Sequence, residues 1–238
     1  MPEPAFQILY EAGPCLVVNK PFGLLTQAPP GIDSLEARIK AWLKERDQKP
    51  GNVYLGVPHR LDRPVSGAMV FARHARAARR ISEQFEGRLV KKSYWACVQG
   101  CVSPEVGTWV DRLQKIQGEP RAQVVAADDP EGRPAVLHYR VLATGDFGSW
   151  LEIELETGRT HQVRVQAASR GYPVLGDAFY GATTGFGPAF DDERLRAIAL
   201  HGRSLAFRHP MTQEMVEVTA PLPCEWQSLR LPEIHAAR

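Results

Sequence analysis

The stretch Pro58–Gly67, PHRLDRPVSG, sets a single carboxylate, Asp62, between two arginines, Arg60 and Arg63. Pro64 and Gly67 keep it out of a helix interior, because proline lacks an N–H donor and glycine weakens a helix. The residues that follow, GAMVFAR (67–73), read as a β-strand, so the segment is a loop delivered by a sheet. Read alone, it is a surface ion pair. A carboxylate flanked by guanidinium groups is also expected to stay ionised. That state is poor for a general acid and suitable for a nucleophile, and loops held by a rigid sheet are where reactive groups tend to sit.

Outward from this loop, CLVVNK (15–20) reads as a strand and DSLEARIKAWLKER (33–46) as an amphipathic helix. Asp33 or Ser34 caps that helix, and Leu35, Ile39, Trp42 and Leu43 form its apolar stripe. A second helix is expected over 75–87, with Ala78, Ile81 and Phe85 inward and Gly87 as the stop. The period then changes from helical to alternating. VKKSYWACVQG (90–100), AVLHYRVLA (135–143) and SWLEIELET (149–157) read as strands. GRTHQVRVQAASRG (158–171) is expected to turn helical at Thr160, which would cap it, and to stop at Gly171. ALHGRSLAF and MVEVTAP read as a terminal hairpin. Strands outnumber helices and no βαβ repeat appears, which predicts an α+β fold with a mixed or antiparallel sheet. No linker is visible, so residues 1–238 are expected to form one domain.

The chain has 238 residues, 44% of them apolar and 24% charged, as in ordinary globular proteins. Its apolar runs are too short for a membrane helix, and its N-terminus has no signal-peptide pattern. Its four cysteines show no metal-ligand spacing, so no metal is expected, and with no export signal the cytoplasm is the expected location. Net charge is only +2, yet residues 59–92 hold nine Lys/Arg against three acids. A basic face of that kind fits either a solvated helix or a nucleic-acid footprint. GxxxxGK[ST], GxGxxG, HExxH, GxSxG and CxxC are all absent. An enzyme of this sequence is therefore expected to work without a cofactor.

Three further segments carry candidate chemistry. In ETGRTHQVRVQ (156–166), Arg159, the Thr160 hydroxyl and the first helical N–H groups are expected to form an anion site, with His161 and Arg164 on one face. Tyr94 lies on the strand of KKSYWACVQG, and Lys20 ends a strand at the NKPFG turn (19–23). Each, taken singly, is as well explained by ordinary structure.

Together the segments resemble one family. HRLDRPVSG is similar to the HRLDxxTSG motif of the pseudouridine synthases of the ribosomal-large-subunit/tRNA "A" type. NKPFG resembles their KPxG element, KKSYWACVQG their KxYxAxVxG strand, and TGRTHQVRVQAASRGYPVLGDAFYG their GRTHQIR…PIxGDxxYG block. The four occur in family order from about residue 8 to residue 220.

The resemblance implies the pseudouridine synthase fold, a curved sheet with flanking helices and a central RNA-binding cleft. It implies cofactor-free and metal-free isomerisation of uridine in rRNA or tRNA. Asp62 would be the essential aspartate, Arg164 its basic partner and Tyr94 the tyrosine packed on the base. Arg60 would wedge into the RNA helix as the uridine leaves. His59, Lys20, Arg159, Thr160 and His161 would contact the RNA. A monomer acting on an RNA stem-loop, without an N-terminal S4-like module, is the expected form. Val65 departs from the usual threonine and Gln166 from the frequent histidine. Two other readings remain: a catalytically silent RNA-binding protein of the same fold, and a glycosidase-like enzyme, which needs a second carboxylate near Asp62.

Overall fold

The computed structural model describes Pro4 and residues 6–232. In chain order the regular elements are β1 (Gln7–Ala12), β2 (Cys15–Lys20), α1 (Leu35–Arg46), β3 (Ser66–Ala72), α2 (Ala75–Glu86) and β4 (Lys91–Val98). They continue with β5 (Val106–Lys115), β6 (Ala122–Val125), β7 (Arg133–Gly145), β8 (Gly148–Leu155), α3 (Gln162–Ala168), β9 (Leu200–Arg208) and β10 (Met215–Thr219). The fold is α+β with a mostly antiparallel sheet and few helices, as the alternating patterns predict. The residues group into two compact units.

The first unit takes the chain up to Lys92 together with 192–195 and 202–223. Its strands run in the order β1-β2-β3-β9, with β10 on β9. β2 and β3 pair antiparallel, Cys15 opposite Ala72 and Lys20 opposite Gly67. Cys15, Val17, Ala68, Val70 and Ala72 face a core closed by Ala77, Ala78 and Ile81 of α2 and by Leu205 and Phe207 of β9. The alternate residues Leu16, Val18, Met69 and Phe71 are buried as well, so both faces of these strands are covered. Gly67 is required by packing: at φ +131° a Cβ there would lie 2.4 Å from the backbone nitrogen of Gly202.

The helix caps settle what the sequence left open. Ser34 Oγ accepts from Ala37 N–H at the start of α1, while Asp33 pairs with Arg38 instead. His74 caps α2, its Nδ1 accepting from Ala77 N–H at 3.1 Å.

The second unit takes residues 93–191 and 196–201 with the C-terminal segment from 224. Its strand order is β4-β8-β7-β5-β6. Tyr94 of β4 stands opposite Ile153 of β8, and Leu137 of β7 opposite Leu155. The alternation read in β8 holds: Leu151 and Ile153 are buried and Glu154 is exposed. On one face Leu113, Ala122 and Ala135 pack with Val165 of α3. On the other, Arg140 pairs with Glu152 at 2.7 Å and Thr108 Oγ1 lies 2.8 Å from His138 Nδ1. The described residues contain no helix long and apolar enough to cross a membrane.

Candidate active site

Asp62 sits in the first unit, half-buried, in an irregular loop closed as a turn by Val65 N–H donating to the Asp62 carbonyl at 3.1 Å. The loop has an internal clamp. The Lys20 ammonium donates to the carbonyls of Val65 at 2.7 Å, Asp62 at 3.1 Å and Arg63 at 3.2 Å, and also to Pro21 at 2.9 Å. Gly23 N–H donates to the Arg63 carbonyl at 2.8 Å, and Thr26 Oγ1 to the Leu61 carbonyl at 2.8 Å. The strand end and turn of 19–26 therefore hold the backbone that carries Asp62. Lys20 is fully buried, which corrects its expected place on the RNA surface. Its cationic charge serves the carbonyl dipoles gathered at this buried turn. Burial is the main cause that lowers its pKa to about 7, with the Asp62 charge opposing and Arg63 adding to the fall.

His59 is half-buried and has structural contacts of its own. Its Nε2 accepts from Val70 N–H at 3.0 Å, and its ring stacks on Phe85 at 4.5 Å between centroids. Accepting at Nε2 puts the proton of the neutral ring on Nδ1. Burial, assisted by the Lys92 charge, lowers its pKa to about 3. Arg60 is exposed and Arg63 is half-buried. Val65, the departure from threonine, is buried and apolar.

In the second unit Tyr94 is half-buried on β4. Arg164, on α3, is buried and forms a two-point ion pair with Asp177: Nε to Oδ2 at 2.6 Å and Nη2 to Oδ1 at 2.8 Å. The guanidinium carbon also lies 4.9 Å from the Tyr180 ring centroid. Asp177 is absent from the sequence-derived candidates. Its only signal was its place in GDAFYG, 13 residues beyond Arg164.

The expected capping of α3 by Thr160 is overturned. The helix spans only Gln162–Ala168, and His161 precedes it in the left-handed region at φ 54°, with no side-chain cap. The Gln162 side chain organises this turn, its Oε1 accepting from Arg159 N–H at 3.0 Å and from Thr157 Oγ1 at 2.8 Å. Arg159 and Thr160 are exposed on the turn, and Arg159 Nε donates to the Pro134 carbonyl at 2.9 Å. The His161 Nδ1 is 2.8 Å from the Tyr180 hydroxyl. Gln166 is buried, its amide donating to Asp111 Oδ2 at 2.7 Å.

Residues 14–169 match the family described as RNA pseudouridylate synthase. A Chloroflexus aurantiacus protein named as an uncharacterized RNA pseudouridine synthase is 40% identical over 216 residues, covering 88% of this chain and 63% of that protein. The chain therefore spans somewhat less than two thirds of that relative's length. The ribosomal large subunit pseudouridine synthase D of Xanthomonas campestris is 35% identical, covering 93% of this chain and 67% of the relative. The solved structure of human RNA pseudouridylate synthase domain containing 4 superposes with a TM-score of 0.77 at 23% identity, over 95% of this chain and 94% of that one. That last likeness concerns the fold.

Proposed function

The chain belongs to the RNA pseudouridylate synthase family, and from that premise we propose that it isomerises a uridine in ribosomal or transfer RNA, with Asp62, Tyr94 and Arg164 serving the chemistry. The observation that carries the assignment of Asp62 is the clamp on its loop. A buried ammonium and two further hydrogen bonds hold the backbone of residues 61–65, while the side chain itself remains half-buried. A reactive carboxylate needs that fixed presentation.

The reaction breaks the N1–C1′ bond of uridine, turns the uracil and forms a C5–C1′ bond. C5 gives up a proton and N1 gains one, so nothing is oxidised or hydrolysed. The Asp62 carboxylate attacks C6 of the uracil or C1′ of the ribose, or removes a ribose proton. Tyr94 covers the base with its ring and carries a proton at C5 through its hydroxyl. Arg164, fixed in place by Asp177, is the basic residue of the set. A uridine in a stem must first leave the stack, at a cost of about a few kcal/mol. Arg60, exposed beside Asp62, fills the vacated space and meets phosphate. The X. campestris relative's name supports a ribosomal substrate. The protein acts on RNA as a monomer in the cytoplasm.

The test is a map of pseudouridines across ribosomal and transfer RNA in cells with and without this protein. Loss of one or a few discrete sites supports the reading. An unchanged map in both RNA classes contradicts it.

A further inference from the structure

Phe179 is a large apolar side chain that stays 37% exposed. One face of its ring is covered by a cation, with the Arg121 guanidinium carbon 4.2 Å from the ring centroid. Arg121 is itself 43% exposed, and its ion pair with Glu119 is long, at 4.0 Å. The pair is held in place from behind. Ala122 N–H, one residue after Arg121, donates to the hydroxyl of Tyr180, one residue after Phe179, at 3.0 Å. Tyr180 packs against the buried cluster of Leu113, Ala122, Ala135 and Val165. The His161 ring meets Phe179 edge-on at 6.2 Å, and the exposed Arg159 lies two residues before it in the chain. A braced base thus presents a part-exposed guanidinium and an aromatic face to solvent.

We propose that Arg121 and Phe179 form a stacking subsite for one unpaired nucleobase of the RNA, distinct from the uridine that is isomerised; this rests on the RNA reading above. Aromatic rings and guanidinium planes are the groups on which proteins stack splayed bases without reading their edges. In the complex the base takes the ring face that the guanidinium covers in the free protein. The Arg121 side chain, unburied and weakly paired, turns to the phosphate that the base carries. The Ala122–Tyr180 hydrogen bond keeps the two halves in register while this exchange occurs. The subsite selects RNA in which a nucleotide near the target is unpaired, a loop or bulge in preference to a continuous stem.

Two assays separate this subsite from the reaction itself. The first measures binding of a heptamer of uridines with one central 2-aminopurine, whose fluorescence falls when it stacks. Wild-type protein is expected to quench it. Phe179→Leu, which keeps apolar bulk, loses at least half of the quenching, and Phe179→Trp restores it. Arg121→Ala lowers the salt dependence of affinity by about 0.7 in log–log slope, the value of one single-strand phosphate contact. The second assay measures pseudouridine formation on large-subunit ribosomal RNA, where Phe179→Leu is expected to raise KM about tenfold with kcat within about twofold. Unchanged quenching and unchanged KM in Phe179→Leu, with the circular dichroism of wild type, would overturn the subsite. If wild-type protein makes no pseudouridine on ribosomal RNA, the substrate reading fails, and the quenching result alone decides the subsite.

Discussion

Arg164 and Asp177 form a buried two-point ion pair, with contacts of 2.6 and 2.8 Å and side chains 5% and 1% exposed. A guanidinium this deep needs a carboxylate to match its charge and a fork geometry to use its donors. Asp177 therefore sets the rotamer of Arg164, whether or not it meets the substrate.

Removing one partner of such a pair strands the other charge in a low-dielectric site. Asp177→Ala is expected to lower stability by about 3–5 kcal/mol, read by urea unfolding. Asp177→Asn keeps the shape and one acceptor, so it should lose less stability. A change below 1 kcal/mol in Asp177→Ala would mean that the pair contributes little.

Lys20 links the KPFG turn to the Asp62 loop through three carbonyls of that loop, with a fourth bond to Pro21 of the turn itself. Lys20→Met removes the ammonium from these carbonyls, of which Asp62 and Arg63 keep a backbone N–H donor, at roughly 1–3 kcal/mol for each that finds no other partner. It should lower kcat at least tenfold by loosening the loop. The pH dependence is distinctive. With a folded pKa of about 7 against 10.5, the neutral amine forms as pH rises through 7, loses one donor and turns a lone pair toward the carbonyls. Activity should then fall on the alkaline side of 7. The same shift makes unfolding take up a proton between pH 7 and 10.5, so this group's contribution to stability rises with pH over that window. A kcat profile from pH 6 to 9 checks the first effect, and Lys20→Met should lack that alkaline limb.

His59 acts on the acid side. Its folded pKa is about 3 against 6.5, so the unfolded chain binds the proton first as pH falls. The stability it contributes is complete above 6.5 and is lost progressively as pH drops toward 3. His59→Phe preserves a ring against Phe85 but leaves Val70 N–H without its acceptor. The expected loss is about 1–3 kcal/mol at pH 7 with a shallower acid slope, measured as melting temperature against pH.

The strands and helices around these residues were legible to different degrees, for physical reasons. α1 buries one regular face and β8 alternates from Leu151 to Glu154, and these apolar periods predict them. β5 hides its period because it carries apolar side chains on both faces: Trp109 and Leu113 are buried while Val106 and Val110 are exposed. α3 was misplaced at its start because Gln162, a helix residue, takes the capping bonds that Thr160 was expected to make. Lys20 looked like a surface turn lysine because nothing in local sequence shows that a chain segment 42 residues away folds over it. Asp177 escaped for the same reason, since its partner lies beyond any helical or strand spacing. The Asp62 loop stood out as one short motif, whereas the groups that hold its backbone come from distant chain.

Arg60 is exposed beside Asp62, and its proposed work begins only when a uridine leaves a stack. Arg60→Ala should therefore slow modification of a structured RNA more than that of an unstructured one, by about tenfold in the ratio of kcat/KM values. Equal losses on both substrates would argue against the wedge.

The most direct measurement compares wild-type protein and Asp62→Asn on large-subunit ribosomal RNA, scoring pseudouridine formation and RNA affinity in parallel. The carboxylate is assigned to chemistry and not to phosphate contact. Product formation should therefore vanish in Asp62→Asn while Kd for the RNA stays within about threefold. Retained pseudouridine formation in Asp62→Asn would contradict the account.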